Sequence, residues 1–491
     1  MAGDEQPILV TGGIGSGKSR LLARLLGTMR GRWRATGFIA AGQERLNGPF
    51  RAAETYQLEL IDRRGTMPWA RRRADTLGYD FNRESGRKAE AAVRSDLESG
   101  AAEICLLDEI GLLEVGGKGF AGLFRHALDR PGIITIAAVK KKALQQVIDG
   151  FGIDSPLIVD LDQIDAEKAL HQIRRRIEAR DDERIGVFAG VGGLVEVGLG
   201  STLNAYRVPF KGHALCYLQN LLLVTFGKRL AGRGLIRIAF ISAMLKAFSP
   251  LGNPIRPMVH IFFQGCAMAL PIRLLGWNLP AVLLGSMMMA WFTLAAGLTV
   301  DYLTFGPAIF AALSGVITRL SVRLGTEPWS VTQVLAAIFA LKALVACGVG
   351  SLAYYGEMQP LIGRLSRSRA IRWIAPRSGS KREGEPDGLR AAARSALGDV
   401  LRPRFLLVLF ISILFLLFFA GLSRYDLLAV AVRALCISYL SFLAARRVDV
   451  ARVAAWLDRR ADPGIGRSLP VALGVLGLGA AKAPRRTGKK P

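Results

Sequence analysis

The chain is 491 residues long, carries a formal net charge of +26 and is 51% hydrophobic, which is too much polypeptide for one ordinary core and points to two or three domains. The charge is unevenly placed: residues 1–180 hold 28 Lys and Arg against 24 Asp and Glu, whereas residues 181–491 hold 37 against 15. Because the basic part is also the apolar part, with its cations lying between apolar runs, the balance excludes a nucleic-acid partner and favours an anionic membrane surface.

Five cysteines, Cys105, Cys216, Cys266, Cys347 and Cys436, stand far apart with no paired spacing. They give neither a disulfide frame nor a zinc site and read as small buried hydrophobes. The opening MAGDEQPILV lacks the basic start and long apolar stretch of a secretory signal, so the N-terminal part is expected to stay in the cytoplasm.

From the N-terminus, the apolar β-prone runs PILVTG, TGFIAAG, YQLELID, EICLLDE, GIITIAAV and SPLIVDLD alternate for the most part with helix-like stretches such as GKSRLLARLLGTMR and RESGRKAEAAVRSDLESG. Runs apolar on both faces predict a largely parallel α/β sheet covered by helices on both sides. YQLELID is open to a second reading, an edge hairpin with the strand before it.

Gly12-Gly13-Ile14-Gly15-Ser16-Gly17-Lys18-Ser19 fits G-x-x-x-x-G-K-[ST] without departure, between the strand ILVT and an amphipathic helix. The glycines let successive backbone N–H groups converge on phosphate oxygens. Lys18 is placed to reach the β- and γ-phosphates, Ser19 to bind Mg²⁺, and the helix to point its positive end at the anion. Further on, EICLLDEIGLLE runs an apolar strand into Asp108 and Glu109. The first carboxylate can hold Mg²⁺ and the second can polarise the attacking water, so phosphate loop and strand end together read as triphosphate hydrolysis.

In the order of these parts the chain resembles the small THEP1-like nucleoside-triphosphatase family of thermophilic archaea, bacteria and animals. The resemblance rests on GGIGSGKS, GFIAAGQER, DEIGLLE and IAAVKKKA, and covers roughly residues 6–162. It implies Lys18 and Ser19 on phosphate and metal, Asp108 on metal, and Glu109 as base, with ATP or GTP as substrate. The loop GQERLNGPFRA is less acidic than the family's usual stretch, and MPWARRRAD is looser. An activating cation is sought among Arg71, Arg72, Arg73, Lys140, Lys141 and Lys142, with a solvated charged face as the bland alternative. The stretch RSDLESGAAE before the acidic strand has no LSGGQ-like signature, which separates this domain from ABC ATPases.

After the charged stretch DAEKALHQIRRRIEARDDERIG the composition changes at about residue 186. A bilayer core takes about 20 helical residues to cross. Candidate segments are 187–205, 213–230, 234–248, 257–275, 279–300, 302–318, 330–356, 404–421 and 425–445. Residues 361–382 carry Arg364, Arg367, Arg369, Arg372, Arg377, Lys381 and Arg382 with no acidic residue, which places that linker in the cytoplasm. An even number of crossings must then precede it. The short PAIFAALSGVITRL is the segment expected not to cross, leaving six, and the last two form a returning hairpin.

The expected organisation is a nucleoside-triphosphatase domain at 1–165, a charged connector helix at 166–185, a six-helix membrane domain at 186–357, a basic linker at 358–402, a transmembrane hairpin at 403–446 and a basic amphipathic tail at 447–491. Polar residues within apolar runs are functional candidates: Glu196, Lys246, His260, Gln264 and Lys342. Lys246 and Lys342 can alternatively snorkel to the interface, and His260 can be a satisfied interior histidine.

Residues 187–356 resemble, through EVGLGSTLNAYRVPFKGHAL, FISAMLKAFSPLGNPIRPMVHIFFQG and LLGWNLPAVLLG, the substrate-capturing subunit of energy-coupling factor (ECF) vitamin transporters. That implies the inner membrane of a bacterium, a multi-pass chain with a cytoplasmic NTPase domain, a small-molecule substrate and ECF-type transport subunits as partners. Three functions stay open: hydrolysis coupled to uptake, a membrane-anchored regulatory or salvage NTPase, and a nucleotide kinase with MPWARRRADTLGYD as its lid.

Overall fold

A computed structural model describes residues 6–45, 53–61, 65–73, 79–100, 102–200, 203, 211–246, 255–327, 329–356, 389–420, 423–445 and 463–476. The chain divides into two compact units, Met1–Glu178 and Ala179–Pro491.

The first unit is built on an eight-stranded sheet of order β5-β4-β3-β2-β6-β7-β1-β8. Its strands are β1 (Ile8–Thr11), β2 (Ala35–Arg45), β3 (Ala53–Leu60), β4 (Thr66–Arg72), β5 (Tyr79–Phe81), β6 (Ile104–Ile110), β7 (Ile134–Val139) and β8 (Leu157–Asp160). Neighbours from β2 through β8 pair in parallel, while β3, β4 and β5 extend the sheet antiparallel.

The period-2 alternation of strand side chains explains why both faces are covered. Ile8, Val10, Ile104, Leu106, Ile134 and Ile136 pack on one face, against α1 (Lys18–Met29) and the start of α6 (Ala166–Leu194). Leu9, Cys105, Leu107, Ala137 and Val139 pack on the other, against α2 (Arg83–Glu98), α4 (Ala121–Asp129) and α5 (Leu144–Phe151); α3 (Leu112–Val115) precedes α4. Each fully buried Leu or Ile contributes about 1.5–3 kcal/mol over its exposed state. The mostly parallel α/β class expected from the sequence is the class observed.

Two features of the sheet differ from the sequence reading. YQLELID does form an antiparallel hairpin with β2, but it is not an edge, because β4 covers it. TMPWARR, looked at as a lid, is the strand β4. Its Trp69 is buried enough to stack on Phe120 at 4.9 Å and Phe81 at 5.2 Å, and Pro68 is tolerated because it lies at a register shift of the β3–β4 ladder.

Gly37, paired with Leu106 across β2 and β6, has φ +126°, and a Cβ there would lie 1.8 Å from the Leu106 carbonyl oxygen. Gly37→Ala is therefore expected to destabilise this unit by about 2–3 kcal/mol, seen as a lowered denaturation midpoint.

The second unit is helical throughout its described residues. Its elements are the end of α6 with a π-helical segment Val195–Leu199, then α7 (Lys211–Leu230), α8 (Leu235–Leu245), α9 (Ile255–Leu275), α10 (Leu279–Phe305), α11 (Ala308–Leu324), α12 (Val331–Tyr355), α13 (Leu389–Val400), α14 (Pro403–Ala420), α15 (Arg424–Ala445) and α16 (Pro463–Val475). Among the described residues three helices are long and apolar enough to cross a membrane: Pro257–Leu275, Leu279–Phe305 and Val331–Tyr355. Arg390–Val400 and Phe405–Phe419, bent by 54°, pass the same test only as a pair.

The charged stretch at 166–185 and the apolar one after it form a single helix, α6, since nothing helix-breaking separates them. The split expected near residue 300 falls instead at Gly306-Pro307, where Gly306 takes φ +66° and Pro307 caps the next helix. The basic residues Arg364 to Arg382 lie outside the described residues, as do 447–462 and 477–491 of the expected tail.

Within this unit α16 approaches α6 closely at Gly186 and Gly190, where a Cβ would meet Ser468 O at 2.5 Å and Val475 Cβ at 2.7 Å. Asp182, buried, pairs with Arg237 at 2.6 Å and Arg467 at 2.9 Å.

Candidate active site

The phosphate loop lies where β1 ends and α1 begins. Gly12, Gly15 and Gly17 take φ of +149°, +79° and +93°, values that side chains resist. At Gly12 a Cβ would also collide with Ser16 Oγ at 2.7 Å. Gly17 is the N-cap of α1, with no side-chain cap and no acidic residue in the first turn. The helix's first N–H groups therefore remain available to an anion. Lys18 folds back so that its Nζ donates to Gly12 O and Gly13 O, each at 2.9 Å.

At the end of β6, Asp108 is 2% exposed and its Oδ2 accepts from Ala40 N at 3.1 Å. Burial pushes this carboxyl up to about 6, against the opposing pull of the Ser19 hydroxyl beside it. Its Oδ1 is buried and makes no full hydrogen bond among the described residues. An unspent carboxylate oxygen beside the Ser19 hydroxyl fits a magnesium ion that takes its remaining ligands from water and phosphate. Among the described residues no group of three or more His, Cys, Asp or Glu side chains is arranged to hold a metal.

The next residue departs from regular strand geometry. Glu109 has φ +63°, and the β6–β7 ladder shifts register between Leu107 and Ile110, three residues advancing on β6 against two on β7. Such a bulge re-aims side chains. In a flat strand Asp108 and Glu109 would face opposite sides; here both lie within electrostatic reach of Lys18. Burial lowers the Lys18 pKa, while Asp108, Glu109 and Asp162 pull it back up.

Glu114 explains why DEIG is followed by an acidic residue. Buried itself, it accepts from Gly111 N at 2.8 Å with Oε2 and from Phe120 N at 3.4 Å with Oε1, tying down the segment after the catalytic strand. Burial raises its pKa. Gly119 must be glycine for this contact, because a Cβ would come within 2.4 Å of Glu114 Oε1.

Of the six candidate cations, Lys140 lies within electrostatic reach of both Lys18 and Glu114. Lys141 is spent on Asp160 at 3.1 Å and Asp162 at 2.8 Å, and Lys142 is exposed. Arg73 pairs with Asp80 at 2.7 Å, Arg71 is exposed on β4, and the Arg72 side chain lies outside the description. Five places separate β4 from β1 in the sheet order, about 24 Å at the usual strand spacing. The arginine run is thus not brought to the phosphate loop.

Asp162 is a site residue that the sequence reading did not pick out. It follows β8, which pairs parallel with β1, so its carboxylate reaches the loop: Gly13 N donates to Oδ1 at 3.0 Å and to Oδ2 at 3.2 Å. The Lys141 ammonium and the Gly13 N–H hold its carboxyl below the usual carboxylate range. Asp162→Ala should loosen the loop and raise KM for nucleotide roughly three- to tenfold with little change in kcat, measured by steady-state phosphate release.

The family model described as NTPase matches residues 7–174. Residues 7–174 are a domain of this NTPase family. The matched stretch holds the phosphate loop, Asp108, Glu109, Glu114 and Asp162, so the NTPase domain contains the whole constellation described above. Among solved structures, the crystal structure of THEP1 from the hyperthermophile Aquifex aeolicus is similar at 16% identity, covering 32% of this chain and 89% of that chain with a TM-score of 0.26. No curated protein matches the chain.

In the second unit the intramembrane candidates are not one cluster. Lys246 Nζ donates to the main-chain oxygen of Glu196 and lies 4.0 Å from its Oε2. Gln264 Nε2 donates to Thr293 Oγ1 at 2.7 Å. His260 lies with its ring 5.9 Å from that of Phe292. Lys342 is 6% exposed, and its Nζ has no hydrogen-bond partner among the described residues. Both lysine side chains are buried in the structure, which does not match the alternative that they snorkel to an interface.

Proposed function

We propose that this chain is a membrane-bound nucleoside triphosphate hydrolase that uses Mg²⁺ and whose nucleotide state is coupled to small-molecule uptake by its helical part. The observation that carries the hydrolytic reading is the convergence of Lys18, Ser19, Asp108 and Glu109 at the mouth of one uncapped helix. The loop amides and Lys18 hold the phosphates and offset their charge. Ser19 and Asp108 hold the metal, which supplies charge neutralisation of the phosphates. Glu109 orients water and takes its proton. ATP and GTP are both compatible with this assignment. Phosphate release by purified full-length protein without an added acceptor tests it: hydrolysis predicts release that EDTA abolishes and Mg²⁺ restores, whereas a kinase releases nothing until an acceptor is supplied.

Uptake is supported by the buried polar side chains of the second unit, since an anchor has no use for a buried Lys342 or a Glu196–Lys246 pair. The three membrane-capable helices among the described residues support placement in a membrane, and the nucleotide substrate of this reading puts the NTPase domain on the cytoplasmic side. ECF-type subunits are the partners this reading implies. A panel of vitamins and metal chelates added to the reconstituted protein tests it. Coupling predicts that one of them changes the rate of phosphate release at least roughly twofold, in line with a modest coupling free energy; a rate indifferent to all of them leaves only an anchored NTPase.

A further inference from the structure

In the second unit one small cavity is lined by a carboxylate and by an amide whose oxygen is buried without a partner among the described residues. Val195–Leu199 forms a π-helical segment, a geometry that recurs at functional sites, and carries Glu196. Beside it lies a cavity of about 20 Å³, lined by Glu196, Gln219 and Ser242 among apolar side chains, with room for about one water-sized group. Gln219 Nε2 donates to Ile261 O at 3.1 Å and Ser242 Oγ to Ala189 O at 3.1 Å, while Lys246 donates to the Glu196 main chain.

The acceptors are different. Gln219 is 8% exposed, and its Oε1 is buried with no hydrogen-bond partner among the described residues. The Glu196 carboxylate has Lys246 Nζ at 4.0 Å, beyond hydrogen-bond length. A buried amide oxygen without a donor, beside a carboxylate whose ion-pair partner stands beyond hydrogen-bond length, suits a ligand that donates or carries positive charge.

We propose that this cavity binds a small monovalent cation, either an alkali ion or the protonated head of a primary amine, between the Glu196 carboxylate and Gln219 Oε1. With Lys246 already beside this one carboxylate, a divalent ion would leave twice the uncompensated charge of a monovalent one, which favours the monovalent ion. The inference rests on the second unit alone and stands whether or not that unit transports anything.

Thermal unfolding of the purified full chain tests it, with NaCl, KCl or methylammonium chloride exchanged against choline chloride at constant ionic strength. Choline is too large for the cavity and supplies the baseline. The expected result is a saturable rise of about 2–4 °C with one of the three cations at roughly tenfold excess over its dissociation constant. A sodium or potassium effect identifies an alkali ion, and a methylammonium effect identifies an amine head. Glu196→Gln and Gln219→Met should each lose the rise while keeping the wild-type helical circular dichroism and unfolding midpoint in choline chloride, which shows that the helical unit folds. Lys246→Met should shift saturation to lower cation concentration. Equal midpoints in all four salts overturn the proposal, as does a rise that survives both Glu196→Gln and Gln219→Met.

Discussion

Lys18→Ala should lower phosphate release by roughly a thousandfold or more, a loss of about 4 kcal/mol of transition-state stabilisation. The reason lies in where the ammonium stands. Its Nζ is held over the loop by Gly12 O and Gly13 O at 2.9 Å, at the end of a helix whose first turn contains no acidic residue. Three carboxylates, Asp108, Glu109 and Asp162, favour its charged form against the burial that lowers its pKa. It is therefore a fixed positive charge in a partly buried setting, where such charges count for more than in water. Lys18→Arg should fare little better, because a planar guanidinium does not fit between the two loop carbonyls as a compact ammonium does. Nucleotide binding should weaken less than turnover falls, since the loop amides remain. Phosphate release together with a nucleotide-dependent shift of the unfolding midpoint separates the two effects. Wild-type turnover by the alanine variant would remove the assignment of this loop as the catalytic site.

How much of this could be read from the sequence depends on how local each feature is. The phosphate loop was legible because its glycines, lysine and serine act within eight consecutive positions, and the structure places them between a strand and a helix as the motif requires. The central strands were legible because burial on both faces leaves a continuous apolar run. β4 was hidden by its composition: Pro68, Arg71 and Arg72 mask a strand in which Ala70 is buried and Trp69 packs, half-buried, on the opposite face. Asp162 was hidden by distance, since its partner Gly13 is 149 residues away and only the parallel pairing of β8 with β1 brings them together.

The membrane half shows the same division. Composition found the apolar helices, yet it split α6 at residue 186, because a change from charged to apolar residues does not interrupt a helix that lacks Pro and carries its glycines where α16 (Gly186, Gly190) and α8 (Gly192, Gly193) pack against them. Burial of Lys246 and Lys342 was not legible either. A lysine in an apolar run can snorkel or be enclosed, and the choice is made by neighbouring helices that the local sequence does not contain.

Glu109 shows most clearly what the fold adds to the motif, and it carries the second large expected effect. Glu109→Gln should reduce kcat by roughly a hundred- to ten-thousandfold, the usual contribution of a general base, with KM changed only a few-fold. The side chain keeps its shape and loses its charge and with it the ability to accept a proton. Its backbone supplies an independent check. At φ +63° a residue with a side chain pays about 1–3 kcal/mol, and the bulge between Leu107 and Ile110 holds it there. That strain turns two successive carboxylates, which a regular strand would send to opposite faces, toward the same lysine. Glu109→Gly should accordingly be as inactive as the glutamine variant yet about 1 kcal/mol more stable than wild type, because glycine takes this conformation without cost. Steady-state hydrolysis and denaturant unfolding of the two variants measure both halves. A glycine variant less stable than wild type would mean that Glu109 holds the bulge together, and a glutamine variant with full turnover would place the base elsewhere.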